Sequence, residues 1–155
     1  MQLFKLVVLA CVGLAALVSA AAAGDYGKQK VVYHINYDNP KAQAGALRNI
    51  QNHINAVGKE NLDLKVVLHG NGLTMLLDPI AKTKFQAGNA TDAITAKIAG
   101  LKDQGVNFHV CANTVRGKKV DYENDLYDVS KGDIVPSGVA ELAKLQAEGY
   151  TYIKP

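Results

Sequence analysis

The sequence predicts an α/β protein in which helices pack on a mainly parallel sheet. Two observations support this prediction. Short β-branched and apolar segments alternate along the chain with amphipathic segments of helical spacing. One short segment, residues 63–69 (DLKVVLH), is continuous enough in apolar residues for an internal strand of a parallel sheet.

The first strand and the first helix are predicted within residues 30–58. Residues 30–37 (KVVYHINY) are β-branched and aromatic, as strands tend to be. Asp38-Asn39-Pro40 then supplies a side-chain cap and a proline at the first helical position, and Gly58 predicts the helix end. The apolar residues on one face of this helix are Ala46, Leu47, Ile50, Ile54 and Val57.

The middle of the chain predicts a second strand, a second helix and a third strand. Residues 63–69 form the second strand, and the glycines around Asn71 break it before a short helix at 73–77. Residues 82–89 are polar and predict a loop. A second amphipathic helix follows, closed at Gly105, and residues 106–111 are the third strand. The apolar positions of that helix are Ala93, Ile94, Ile98 and Leu101.

The C-terminal part predicts a surface excursion and a last strand–helix–strand unit. Residues 118–133 are the most charged stretch and predict an excursion with a short helix, anchored by Val120, Leu126 and Val129. Residues 133–135 and 150–153 are predicted strands. Between them, Pro136 opens a helix that ends at Gly149 and whose apolar residues are Val139, Leu142, Ala143 and Leu145.

The N-terminus has the pattern of an export signal. Lys5 gives a positive start, residues 6–18 are apolar except for one glycine, and residues 21–23 offer a small-residue cleavage site. We therefore expect a signal peptide at 1–23, a domain at 30–155, and a periplasmic or otherwise exported protein that leaves the membrane after cleavage. The alternative is an uncleaved anchor, since the apolar stretch is nearly long enough to span a bilayer.

Composition excludes several classes of function. About 130 residues remain without the signal, enough for one domain with a real core. The net charge of +3 falls to +2 without Lys5, which is too small to indicate nucleic-acid binding. Cys111 is then the one remaining cysteine, so neither a disulfide scaffold nor a cysteine-rich zinc site is expected.

The chemistry-bearing residues concentrate at the predicted carboxyl ends of the strands, where ligands collect in open parallel sheets. His34, His69, His109 and Cys111 belong to three such strands. They could ligate zinc or copper, although none shows the short paired spacing of a metal motif, and we expect no metal site. The loop around Asn71 lacks both the dinucleotide-binding glycines and the P-loop lysine, so no bound cofactor is expected.

Cys111 itself admits two interpretations. A thiol becomes reactive as thiolate when a cation or a helix N-terminus lowers its pKa, and Arg116 lies five residues beyond it, within reach of a tight turn. Equally, free cysteines are among the most buried residues, and this one ends an apolar strand. The residues alone leave both interpretations open.

The chain resembles the DsrE/DsrF-like family, the YchN-like sulfur-relay fold that also includes the TusD sulfurtransferase subunit. The resemblance spans essentially residues 30–155. It is carried by residues 66–70 (VVLHG), 105–114 (GVNFHVCANT), 116–117 (RG), 133–142 (DIVPSGVAEL) and 145–155 (LQAEGYTYIKP).

This resemblance implies a three-layer α/β/α sandwich that assembles into trimers or hexamers. In sulfur-relay members a cysteine after the third main strand carries sulfur as a persulfide, and Cys111 followed by Arg116-Gly117 is similar to that site. We expect an exported, sulfurtransferase-like carrier of sulfane sulfur that exchanges sulfur with a donor or acceptor protein. The alternative is a non-catalytic oligomeric module that binds a small ligand, through His69, Asn71 and Asn113, or a metal.

Overall fold

Five strands form one sheet in the computed structural model, which describes residues 26–155. The predicted signal peptide at 1–23 lies outside the described residues. The strands are β1 (Gln29–Ile35), β2 (Leu62–Leu68), β3 (Asn107–Cys111), β4 (Ile134–Val135) and β5 (Thr151–Ile153). Their order is β4-β3-β2-β1-β5 and every neighbouring pair is parallel, which confirms the predicted α/β fold class.

Four α-helices accompany the sheet. They are α1 (Pro40–Val57), α2 (Asp92–Lys102), α3 (Ala112–Lys118) and α4 (Gly138–Ala147). Short 3₁₀ helices occupy Lys59–Asn61, Gly70–Met75 and Lys131–Asp133. No helix within residues 26–155 is both long and apolar enough to cross a membrane.

The bounds of α1 follow from local signals. The Asn39 side chain accepts a hydrogen bond from the Ala42 N–H at 2.9 Å, which satisfies one of the free amides of the first turn. Pro40 takes the first helical position, where a missing N–H costs nothing. Gly58 ends the helix with a φ of 86°, in the left-handed region that favours glycine. Both predicted ends are confirmed.

The larger core lies on one face of the sheet. Alternate strand side chains pack there with α1, α2 and the segment after β2, and each large aliphatic side chain buried in this way contributes about 1.5–3 kcal/mol. The central members are Val31, Tyr33, Ile35, Leu47, Ile50, Val66, Leu68, Ile98, Phe108 and Val110. Of the predicted anchors in the charged excursion, Val120 and Leu126 are buried in this core and Val129 packs against it.

The opposite face is covered by α4. Val32 and Val67 form a smaller cluster there with Leu142, Leu145 and Tyr150. Because side chains alternate along a strand, His34, His69 and Cys111 belong to this same face, two residues beyond Val32, Val67 and His109. The candidate site residues therefore share the α4 side of the sheet.

Several local features differ from the sequence prediction. α3 begins directly after Cys111, where no helix was expected, and the helix expected at 73–77 is a 3₁₀ helix at Gly70–Met75. Val139 is 64% exposed although its spacing suggested a packed position, and α4 begins at Gly138, two residues after the predicted start at Pro136.

Candidate functional site

His69 and Cys111 are neighbours at the carboxyl ends of β2 and β3. The register pairs Leu68 with Val110, so the residues that follow them, His69 and Cys111, lie side by side. Gly138, the first residue of α4, packs against both. A Cβ placed on Gly138 would lie 2.8 Å from Cβ of His69 and 3.2 Å from Cβ of Cys111. Two strands and the start of a helix thus meet at one point.

The start of α4 is shaped for this close approach. Ser137 caps the helix by accepting a hydrogen bond from the Ala140 N–H at 3.4 Å. Gly138 follows, and its lack of a side chain lets the helix backbone come within contact distance of the two strand ends. The backbone amide of Gly138 is consequently close enough to Cys111 to lower the pKa of the thiol.

The Cys111 sulfur is buried but surrounded by hydrogen-bond donors. The residue is 5% exposed and occupies the N-cap position of α3. Burial raises the pKa of the thiol. The backbone amides of Gly138, Thr114 and Asn113 and the hydroxyl of Thr114 lie near the sulfur and lower the pKa, and together they hold the pKa of Cys111 below its ordinary value.

The Thr114 hydroxyl is oriented by a second contact. Its oxygen accepts a hydrogen bond from the Gly70 N–H at 2.8 Å, at the start of the 3₁₀ helix that follows β2. This contact leaves the hydroxyl proton free to be donated to sulfur. The donors around Cys111 are therefore fixed by backbone and by a hydroxyl that is itself held, and a thiolate formed there meets dipoles already in place.

Arg116 makes a different contact from the one expected. Its guanidinium donates to the side-chain oxygen of Asn113, and both residues are exposed on α3. The groups that lower the pKa of Cys111 are amides and a hydroxyl, and Arg116 is not among them. A part for Arg116 in the chemistry stays a prediction.

A chain of hydrogen bonds ends at His69. The Nε2 atoms of His34 and His69 are 2.7 Å apart, with the ring centroids 4.7 Å apart and the ring planes inclined by 23°. Nδ1 of His34 lies 2.6 Å from the hydroxyl oxygen of Tyr152 on β5. The sequence placed the two histidines near one sheet edge. It gave no signal for the contact between them or for Tyr152, because both depend on strand order and register.

Both histidines of this chain favour the neutral form. Burial, followed by the proximity of His69 and of Lys154, lowers the pKa of His34 to about 4. Burial and Lys154 also lower the pKa of His69. At neutral pH the pair therefore holds two uncharged rings, each able to accept a proton.

The other two histidines are engaged elsewhere. Nδ1 of His109 lies 3.1 Å from a carboxylate oxygen of Glu141 on α4. Burial lowers the pKa of His109 more than Glu141 raises it, so this contact is mainly a hydrogen bond between a neutral ring and a carboxylate. His53, on α1, lies within hydrogen-bond distance of Tyr33 and Gln29.

A match to the DsrE/DsrF-like family model extends over residues 29–155. The chain belongs to this family. The resemblance inferred from the sequence is thus confirmed at the level of the family, and the match covers all five strands and all four helices.

Two solved structures share the DsrE/DsrF-like architecture with this chain. A protein of unknown function from Methanobacterium thermoautotrophicum is 27% identical, with a TM-score of 0.66 over 83% of this chain and 100% of its own. The ychN protein from E. coli is 18% identical, with a TM-score of 0.57 over 83% of this chain and 99% of its own, and this likeness shows the fold alone. No curated protein matches the chain.

The residues predicted to bind a small ligand do not share one cleft in this DsrE/DsrF-like chain. Asn71 lines a polar cleft of about 360 Å³, whereas His69 lies beside Cys111 and the Asn113 side chain is bonded to Arg116. The other residues that line the cleft are Asp38, Lys84, Phe85, Gln86 and Lys118. Within residues 26–155, no group of three or more histidine, cysteine or acidic side chains is placed to hold a metal ion.

Proposed function

We propose that this protein carries sulfane sulfur as a persulfide on Cys111, in the manner of a sulfurtransferase. The observation that carries the proposal is the set of donors around the Cys111 sulfur: three backbone amides and the Thr114 hydroxyl. A thiol among apolar neighbours stays protonated and inert, which is what a cysteine that serves only in packing requires. Donors aimed at sulfur favour the thiolate, which is the form that attacks.

The chemistry is an exchange between two sulfur atoms. The Cys111 thiolate attacks the outer sulfur of an alkyl persulfide R–S–SH, a new S–S bond forms, and the S–S bond of the donor breaks. The departing R–S⁻ takes up the proton that the Cys111 thiol has lost. The products are the persulfide of Cys111 and the thiol R–SH, so no oxidant or reductant is consumed. Transfer to an acceptor is the same exchange in reverse.

Intact-mass measurement tests the proposal. The full chain with Cys11→Ser, so that Cys111 is the one thiol, is reduced and then incubated with an alkyl persulfide. We expect a mass increase of one sulfur atom that a reductant removes. The matched control is the same chain with Cys111→Ser. No adduct on the first protein, or an adduct on the control, would exclude a persulfide on Cys111.

The wider setting is part of the same proposal. The export pattern at residues 1–23 supports a periplasmic or otherwise exported protein, and the family supports a trimer or hexamer that meets a donor or acceptor protein. The exposure of Val139 on the first turn of α4 fits a surface covered by another chain. N-terminal sequencing of the fractionated protein and light scattering of the purified protein test both points. An intact N-terminus in the cytoplasm or a monomer would contradict them.

The polar cleft at Asn71 favours a second candidate, non-catalytic binding of a small polar ligand. Lys84 and Lys118 are among the residues that line it, so an anion is the best-matched class. This function predicts that a small carboxylate or phosphate raises the midpoint of thermal unfolding and does so equally in Cys111→Ser. The absence of such a shift across a panel of anions would argue against it.

A further inference from the structure

A continuous hydrogen-bonded chain connects the protein surface to the neighbourhood of Cys111. It begins at Tyr152, which is 39% exposed on the edge strand β5, and passes to His34, which is 7% exposed on β1. It ends at His69, the residue after β2, whose Cβ lies against Gly138 at the same point as Cβ of Cys111. Three side chains thus connect solvent to the residue that lies beside Cys111.

Each link of this chain can carry a proton in either direction. A contact of 2.7 Å between two Nε2 atoms requires one proton between them, held by His34 or by His69. When His34 holds it, Nδ1 of His34 accepts from the Tyr152 hydroxyl. When His69 holds it, Nδ1 of His34 carries a proton and donates to Tyr152. Among the described residues, no protein group bonds to Nδ1 of His69. This nitrogen accepts a proton when Nε2 of His69 holds the shared one, and carries a proton when His34 holds it.

The surroundings keep the pair neutral at neutral pH. Val32 and Val67 flank it on the sheet, and the charge of Lys154, which follows β5, lowers the pKa of both rings. From α4, Glu141 is engaged by His109 and by Lys144, and from β3 the facing titratable group is Cys111 itself. Burying imidazoles without a counter-ion contributes little to stability. Because the pKa values of both rings are lowered, a proton accepted by either ring is held weakly and is readily passed on.

We propose that His69 accepts the proton of the Cys111 thiol and returns it to the thiolate that leaves the sulfur donor, while His34 and Tyr152 connect His69 to solvent. The inference rests on the proposed persulfide function and adds the path of the proton. In the exchange, the S–H bond of Cys111 breaks as the proton moves to Nδ1 of His69. The S–H bond of R–SH forms when that proton passes to R–S⁻, so charge and atoms balance.

Comparing the reaction rates of two electrophiles distinguishes a loss of proton transfer from a loss of the Cys111 thiolate. An alkyl persulfide releases an alkyl thiolate of high pKa, which needs a proton on departure, whereas an aromatic disulfide releases a stable thiolate that needs none. With Cys11→Ser as background, we expect His69→Gln to slow sulfur uptake from the alkyl persulfide near neutral pH on the order of a hundredfold. Its reaction with the aromatic disulfide should match that of the parent chain. His53→Gln, a histidine change on α1, is the matched control and should alter neither rate.

The outcomes are distinguishable. Equal slowing with both electrophiles in His69→Gln would mean that the thiolate itself is lost, and no slowing with either would mean that His69 moves no proton. Both results overturn the proposal. A parent chain that takes up no sulfur would defeat the persulfide function, and the proton path with it. If His69→Gln does not fold, His69→Asn is judged by the same two rates.

The outer part of the path has its own test. Tyr152→Phe keeps the ring but removes the hydroxyl that contacts His34. We expect a slower reaction with the alkyl persulfide and an unchanged reaction with the aromatic disulfide, with a smaller effect than that of His69→Gln. A rate for Tyr152→Phe equal to that of the parent chain with both electrophiles would remove His34 and Tyr152 from the path.

Discussion

Cys111 shows how a buried thiol can still be prepared for chemistry. Burial alone opposes ionisation, yet the donors on α3 and α4 outweigh it and lower the pKa of the thiol. The sequence identified Cys111 as the candidate reactive residue and suggested Arg116 as the cation that lowers the pKa of its thiol. The structure instead surrounds the sulfur with amides and Thr114, because a helix begins at once after the strand. Only the folded backbone specifies such donors.

Removing the hydroxyl of Thr114 should raise the pKa of Cys111 measurably. Thr114→Val keeps the shape but removes a donor to the thiolate, and a hydrogen bond to a charged group contributes about 1.5–3 kcal/mol. We expect the pKa of Cys111 to rise by about one unit or more. The pH dependence of alkylation, followed by intact mass, measures it. Thr95→Val, at a half-buried position on α2, is the control, and equal pKa values in the two variants would refute the role of Thr114.

His34 should make stability depend on pH. Its pKa falls to about 4 in the folded protein, against an ordinary value of about 6.5, so the unfolded state binds more protons between these values. The free energy of unfolding should therefore decrease as pH falls from about 6.5 towards 4, by an amount on the order of 3 kcal/mol for a fully expressed shift. Urea unfolding at several pH values should show a shallower decrease for His34→Gln. An unchanged pH dependence would be inconsistent with this explanation.

A helix or strand is predicted well from the sequence when the residues that start and end it lie within the element itself. α1 is predicted to its ends because Asn39, Pro40 and Gly58 are signals within the helix itself. α3 is not predicted, because seven residues that include threonine, valine and glycine show no helical periodicity. Its position depends on tertiary contacts such as the bond from the Gly70 N–H to Thr114. The short 3₁₀ helix at Gly70–Met75 begins earlier than expected for the same reason.

Gly138 should be the most sensitive position of α4. An added methyl group would lie 2.8 Å from Cβ of His69, so Gly138→Ala should push the helix start away from the strand ends. We expect a loss of about 1–3 kcal/mol of stability together with a higher pKa of Cys111. The matched control is Gly100→Ala on α2, where nothing lies within 4 Å and helix propensity should give a slight gain. Denaturant unfolding measures the free energy of unfolding of both variants. Equal stabilities would contradict this prediction.

For the whole molecule, the sequence predicts the fold better than the site. Alternating strands and helices were sufficient for an α/β sandwich with a parallel sheet, because that architecture follows from pattern alone. Parallel strands with a shared direction then bring Cys111 and the histidines to one edge. The contact between His34 and His69 could not be predicted, because it requires the order β2-β1-β5 and the register that pairs His34 with Val67. Periodicity in the sequence shows on which face of the sheet a side chain lies, but not which side chains of neighbouring strands come into contact.

The most direct test of the central claim is the reaction of native Cys111 with an alkylating reagent as a function of pH. The chain carries Cys11→Ser, so that the signal comes from Cys111 alone, and intact mass reports the rate. The donors around the sulfur predict labelling of the folded protein with an apparent pKa below the usual range of a cysteine. Labelling that begins only when the protein unfolds, or an apparent pKa at or above that range, would contradict a prepared thiolate at Cys111.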